Sequence, residues 1–216
     1  MRVAVVGATG NIGTSVVDAL TADEDVERVD GLARHAPSWS PPKTTFVPTD
    51  VTSSDLVPHF RGADTVVILA WIFQPTHQPM TTWNVNVLGT IRVLEAAAAA
   101  GVRNLVYSSS LAAYSPGPGR HVDESWPTHS MPVAAYGREK AYLERYLDAF
   151  ELRNPEMRIV RIRPCFSFKH QSASQQRRIF AGPFVPRSLL RPGRLPVLPI
   201  PAGLRFQALH TTDLAE

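Results

Sequence analysis

A run of four apolar residues, Val3-Ala4-Val5-Val6, leads without pause into Gly7-Ala-Thr-Gly10-Asn-Ile-Gly13. Few local sequences restrict a fold so tightly. A short apolar run of this kind reads as a buried strand, and the residues after the glycines read as a helix over 11–20. Gly7, Gly10 and Gly13 let the backbone turn sharply between the two and leave room for a ligand to approach the main chain. The helix N-terminus that follows offers unpaired N–H groups and the positive end of its dipole, so a strand, a glycine turn and a helix in this order form an anion cradle. The spacing is Gly-x-x-Gly-x-x-Gly, which differs from the commoner Gly-x-Gly-x-x-Gly, but its context is that of a dinucleotide's diphosphate. Gly7, Thr9, Gly10, Asn11, Ile12 and Gly13 are therefore expected to line a cofactor.

Strand and helix patterns continue to alternate downstream. Strands are expected at 26–33, 45–47, 64–70, 103–108 and 157–162, with helices at 53–60, 82–100 and from Tyr136 to about Leu152. Asp64-Thr-Val-Val-Ile-Leu-Ala70 is apolar on both faces, as a central parallel strand is. Gly101 closes the long helix as a C-cap. Alternation of this kind predicts right-handed crossovers and a Rossmann-type, doubly wound parallel sheet of the α/β class. Composition changes after Arg163, since residues 164–201 are rich in proline. We expect a dinucleotide-binding domain over residues 1–163. A small, incomplete substrate-binding region, made of loops and short helices, is expected over 164–216. Within it, 206–210 reads as a strand and Asp213 opens a helix.

The chain has 216 residues, 44% of them hydrophobic and 19% charged, which is globular composition. No apolar run is long enough to span a membrane, and the N-terminus lacks the pattern of a secretory signal. A single cysteine, Cys165, excludes an intrachain disulfide and fits a reducing compartment, so a cytoplasmic location is expected. No metal site is expected. The net charge of +3 is unevenly spread: between Glu156 and Asp213 there is no acid, while Arg158, Arg161, Arg163, Lys169, Arg177, Arg178, Arg187, Arg191, Arg194 and Arg205 all fall there. Such a field suits an anionic small-molecule substrate, unless these arginines pair with acids of the first domain. Nucleic acid fits poorly, because the basic residues are interleaved with proline and apolar pairs instead of a stacking aromatic platform.

Tyr136-Gly-Arg-Glu-Lys140 places a phenol and an ammonium four residues apart, on one face of a helix. A cation beside a phenol favours the phenolate and lowers a pKa of about 10, giving a proton acceptor near neutral pH. Cofactor choice depends on the end of the second strand, where an acid would grip a ribose hydroxyl and an arginine a 2′-phosphate. The position about 20 residues past Gly13 is Ala33, followed by Arg34, and Asp30 lies too early. NADP is favoured over NAD. Asp50, after the third strand, is placed either to meet the adenine edge or to cap the next helix.

Taken together, these residues resemble the extended short-chain dehydrogenases/reductases, the NAD(P)-dependent epimerase/dehydratase family. The resemblance extends through Asp50-Val51, Asp64–Ala70, Asn86–Glu95, Val106–Tyr114, Glu124, Tyr136/Lys140, Arg163-Pro164 and the 206–213 segment. It implies that Ser110 is catalytic beside Tyr136 and Lys140, Ser110 holding the reacting oxygen and Lys140 the nicotinamide ribose. It also implies that Val51, Leu69, Ala70, Trp71, Ser108 and Pro164 line the cofactor, and that His210 and Asp213 help bind substrate. The implied activity is hydride transfer at a hydroxyl or ketone, for instance on a nucleotide-linked sugar. The alternative is a protein that senses the cofactor without turnover. Asn86 is expected to pack or hold a water and not to react. Trp71 departs from the small residue usual there. Members also run well past the equivalent of Asp213, so we expect either a homodimer through apolar surface at 189–209 or weak substrate binding with the dinucleotide retained.

Overall fold

A computed structural model of the chain describes residues 1–73, 77–117, 119, 121–173 and 207–216. Six strands form one sheet: β1 (Arg2–Val6), β2 (Arg28–Ala33), β3 (Thr44–Pro48), β4 (Thr65–Ile68), β5 (Asn104–Ser108) and β6 (Arg158–Ile162). Every pairing is parallel, in the order β3-β2-β1-β4-β5-β6. This is the doubly wound order, with its reversal between β1 and β4. The expected fold class is the one observed.

Strand periodicity assigns the two faces. Ala4 and Val6 of β1 point to one side, against Phe60 of α2 (Val57–Phe60), Val93, Leu94 and Ala97 of α4 (Gly89–Ala99), and Leu143, Leu147 and Phe150 of α5 (Ala135–Arg153). Val3 and Val5 point to the other side, with Val29 and Val67, against Val17 of α1 (Asn11–Ala22). Asp30 is buried within β2 and ion-paired to Arg2 at 2.6 Å and Arg28 at 2.8 Å. That position ties β2 to β1 and keeps the carboxylate from the strand end. Among the described residues, no helix is long and apolar enough to cross a membrane, and no cluster of His, Cys, Asp and Glu is grouped to hold a metal.

Several elements differ from expectation. The helix expected over 53–60 contracts to Val57–Phe60, because Asp50 organises a turn first: its carboxylate accepts from the Thr52 N–H at 2.8 Å and the Thr52 hydroxyl at 2.7 Å. The helix expected over 82–100 begins earlier, as α3 (Pro79–Thr82), and passes through a π-helical turn, Trp83–Leu88, before α4. Part of the segment read as loops is a strand, β7 (Phe166–Phe168), paired in parallel with β8 (Ala208–His210). Three residues are too few for period-two alternation to announce them. The short α6 (Thr211–Ala215) then docks on α1, where the Thr211 and Ser15 hydroxyls are hydrogen-bonded at 2.8 Å. Arg177, Arg178, Arg187, Arg191, Arg194, Arg205 and most of the 189–209 surface lie outside the described residues.

Glu144 fastens α5 to the sheet. Its side chain has no solvent exposure, yet it receives the Ser109 hydroxyl at 2.5 Å, Arg163 at 2.9 and 3.0 Å and Arg161 at 3.3 Å. Arg161 also pairs with Asp148 and Glu151, both at 2.7 Å. These two arginines are therefore committed to first-domain acids and not to an anionic substrate. Burial pushes the Glu144 carboxyl pKa up, but the hydrogen bonds from Arg163 and Ser109 outweigh it and hold it below the usual glutamate value. A depressed carboxyl contributes stability above its unfolded pKa and loses it as pH falls through the folded one. Glu144→Gln should cost about 3 kcal/mol near neutral pH, the low end for a broken buried pair because Arg161 keeps two other acids. In urea unfolding, that gap should narrow as pH falls below about 4.

Candidate active site

Strand register builds the site. Val6 pairs with Ile68, Ile68 with Tyr107, and Ser108 with Ile162, so four strands end on one rim. Residues that follow those strands become neighbours: Gly7 beside Leu69 and Ala70, then Trp71, then Ser108, Ser109 and Ser110, then Arg163 and Pro164. The Leu111 N–H donates to the Pro164 carbonyl at 3.1 Å, closing the last gap.

Gly7 sits at φ +91°, and a Cβ there would lie 2.6 Å from the Ala70 nitrogen. Only glycine meets both demands, the left-handed backbone and the close approach of two strand ends. Gly13 is buried, and a Cβ there would meet the Gly7 carbonyl and Ala8, so α1 is pressed against the turn. Gly10 caps α1 with no side-chain hydrogen bond to the first-turn N–H groups. Thr9 and Gly10 are exposed, while Asn11 and Ile12 are half-buried. Asn11 donates to the Ser167 carbonyl at 2.8 Å, which leaves its buried Oδ1 without a partner among the described residues. The loop thus offers room and donors for an anion.

The expected adenine side lies at the end of β2. Ala33 ends β2, buried, and Arg34 follows on the surface, close enough for its charge to favour the Asp50 carboxylate. The Thr52 hydroxyl is the largest cause holding Asp50 below its usual pKa; Asp50 closes this turn and does not cap the next helix, whose N-cap is Leu56. Val51 packs on α4, where a Cβ at Gly89 would meet its Cγ2 at 2.6 Å.

Ser110, Tyr136 and Lys140 converge at the other end. Ser110 is buried, extended at φ −167°, and caps the short turn Leu111–Ala113 by accepting the Ala112 N–H at 3.1 Å. Its hydroxyl also favours the Tyr136 phenolate. Gly137 lets the start of α5 settle against Ser130 and the Ala112 carbonyl, 2.7 Å from where its Cβ would stand. Lys140, 3% exposed, donates to the Ser108 carbonyl at 2.7 Å and reaches the Tyr107 hydroxyl at 3.4 Å.

The expected coupling of Lys140 to Tyr136 is not what this structure contains. The ammonium stands 6.0 Å from the Tyr136 ring and only 3.5 Å from the centroid of Trp71. Trp71 meets Tyr136 edge-on at 5.5 Å, and Phe73 stacks on its other side at 5.1 Å. Burial raises the Tyr136 pKa above the ordinary phenol value, with the Ser110 hydroxyl opposing it. Burial also pulls the Lys140 pKa well down, against the pull of Glu144 and Glu139.

Three supporting residues were not singled out in the sequence. Glu139 is buried and accepts from Thr82 at 2.7 Å and from Asn86 at 2.8 Å. Asn86 also takes the Ile72 N–H at 2.8 Å and donates to the Ile72 carbonyl at 2.9 Å. The π-helical turn presents Asn86 to Ile72, so it holds backbone next to Trp71. Glu144 extends the Tyr136, Lys140 spacing by another four residues, a signal that was readable. Phe73 carried none. Glu124 is exposed on its loop, and the His210 imidazole caps α6 through the Thr212 N–H at 3.3 Å.

Tyr136 should therefore titrate above about 10 in the ligand-free protein, and Ser110→Ala should raise it further. Near-ultraviolet phenolate absorbance, taken as the difference from Tyr136→Phe, measures both. A midpoint below that value would contradict the burial argument.

Comparison with known proteins gives a consistent picture. The family described as NAD dependent epimerase/dehydratase matches residues 3–182. UDP-glucose 4-epimerase from Mycolicibacterium smegmatis is 33% identical over 167 residues, covering 70% of this chain and 53% of the relative. Among solved structures, a UDP-N-acetylglucosamine 4-epimerase from Methanobrevibacter ruminantium superposes with TM-score 0.80 over 99% of this chain and 70% of its own, at 22% identity, a likeness of fold. The UDP-glucose 4-epimerase of Thermus thermophilus, solved in complex with NAD, gives TM-score 0.66 at 27% identity over 78% of this chain and 56% of its own. The chain spans about half, or less, of the length of the curated relatives it matches.

Proposed function

The chain belongs to the NAD-dependent epimerase/dehydratase family, and on that premise we propose that it binds NADP or NAD and transfers hydride at a hydroxyl-bearing carbon of a nucleotide-linked sugar. The observation that carries this reading is the convergence of Ser110, Tyr136 and Lys140 on the same strand-end rim as the Gly7–Gly13 loop. Glycine spacing and the uncapped start of α1 both fit a diphosphate lying across Gly7, Thr9, Gly10, Asn11, Ile12 and Gly13. Leu69, Ala70, Trp71, Ser108 and Pro164 then line its path toward Tyr136, with Asp50 and Val51 at the adenine side. When bound, the nicotinamide supplies or accepts the hydride.

The chain's own residues handle the proton. Tyr136 takes it from the substrate hydroxyl, or returns it in the reverse direction. Ser110, whose hydroxyl favours the Tyr136 phenolate, holds the reacting oxygen and stabilises charge as it develops. Lys140 binds the nicotinamide ribose and supplies the positive charge a phenolate needs. Arg34, exposed immediately after β2, supports a preference for NADP through a charge-assisted bond to the 2′-phosphate. Nucleotide-linked sugars are proposed because relatives named as UDP-glucose 4-epimerases are similar over most of this chain. The indole over Lys140 favours a second reading, a protein that binds the cofactor without turnover.

One set of variants tests these points. Tyr136→Phe should lower turnover of a UDP-sugar, followed by chromatography of the products, by about 10²–10⁴-fold while leaving dinucleotide affinity nearly unchanged. By calorimetry, NADP should bind about tenfold more tightly than NAD, and Arg34→Ala should remove the difference. Full activity in Tyr136→Phe would refute the mechanism. Tight cofactor binding with no turnover of any nucleotide sugar would favour the second reading.

A further inference from the structure

The contact between Trp71 and Lys140 blocks the place where the proposed cofactor must act. An ammonium has three N–H donors. One donates to the Ser108 carbonyl at 2.7 Å and a second points toward the Tyr107 hydroxyl at 3.4 Å. The remaining side is covered by the indole face, whose centroid is 3.5 Å from Nζ. No ribose oxygen fits between groups at that separation.

Trp71 is also poorly settled where it stands. Its Nε1 is buried and has no hydrogen-bond partner among the described residues, an arrangement buried indoles seldom adopt. The neighbouring backbone, by contrast, is fixed, since Asn86 holds both the N–H and the C=O of Ile72. Departure of the indole would therefore be a side-chain rotation on a stationary strand end. Phe73, 45% exposed and stacked on Tyr136, completes an aromatic cover over the phenol.

We propose that Trp71 is a gate at the nicotinamide end of the site. Its indole caps the Lys140 ammonium while that end is empty and yields the position to a ribose hydroxyl when a dinucleotide enters. Trp71 thereby sets the affinity for the nicotinamide half without touching the adenine half. The inference rests on the dinucleotide reading above.

Two ligands separate the halves. ADP reaches only the adenine side and the glycine loop, whereas NAD and NADP must also displace the indole. Trp71→Leu keeps apolar volume and removes the π face; Trp71→Ala removes both, and a thermal melt of each variant checks folding. By calorimetry, NAD and NADP should bind both variants about tenfold more tightly than they bind the parent protein, with ADP unchanged. In the ligand-free variants, Lys140 should also be acylated several-fold faster by an amine reagent, read by peptide mass spectrometry. Dinucleotide binding that is unchanged or weaker in both variants, with ADP unchanged, would overturn the gate and make the indole a platform. If neither ADP nor NAD binds the parent protein, the dinucleotide reading fails and the gate with it; unchanged Lys140 acylation in that case would show that the indole does not cover the amine at all.

Discussion

A fully buried carboxylate, Glu144, is the constraint on which the rim depends. Leaving such a group unpaired would cost several kcal/mol, so its partners are fixed once α5 is in place. Those partners are the Ser109 hydroxyl after β5 and the Arg161 and Arg163 guanidiniums on and after β6. One side chain thus fixes the axial position of α5 against two strand ends. Because Tyr136 and Lys140 lie eight and four residues before Glu144, the same bonds place the phenol and the ammonium. Glu144 also provides the negative charge that most favours the protonated form of Lys140 against its burial.

A second buried acid works one turn away. Glu139 gathers Thr82 and Asn86, and Asn86 in turn grips Ile72. Helix α5 therefore governs both sides of the cleft: through Glu144 it sets the serines, and through Glu139 it sets the strand end that carries Trp71. The π-helical turn belongs to this arrangement, since it presents Asn86 to Ile72. Irregular turns of this type are frequent at functional sites.

The succession of strands and helices along the chain was the more legible part of the sequence. Apolar strands and the glycine loop are short-range signals with strong periodicity, and from them the sheet class and the Gly7–Gly13 cradle followed. Asp30 could be dismissed as a ribose ligand by counting alone, and its pairing with Arg2 and Arg28 agrees. What escaped was set by three-dimensional neighbours. The phenol pKa expected from the Tyr136, Lys140 spacing ignores an indole that intervenes from a different strand end. Three-residue strands such as Phe166–Phe168 carry too little pattern to be seen, and exist because β8 offers them a partner. Arg161 and Arg163 had two readings that composition alone could not separate; their pairing with the buried Glu144 separates them.

The central claim is that the glycine cradle and the Ser110, Tyr136, Lys140 cluster form one hydride-transfer site. Rapid mixing of the dinucleotide-loaded protein with a panel of nucleotide-linked sugars, while recording near-ultraviolet absorbance of reduced nicotinamide, tests it most directly. The account predicts that at least one sugar produces a transient rise in that absorbance, and that the rise is lost in Tyr136→Phe protein carrying the same amount of bound dinucleotide. A dinucleotide that binds but is never reduced, or a rise that persists without the Tyr136 hydroxyl, would contradict it.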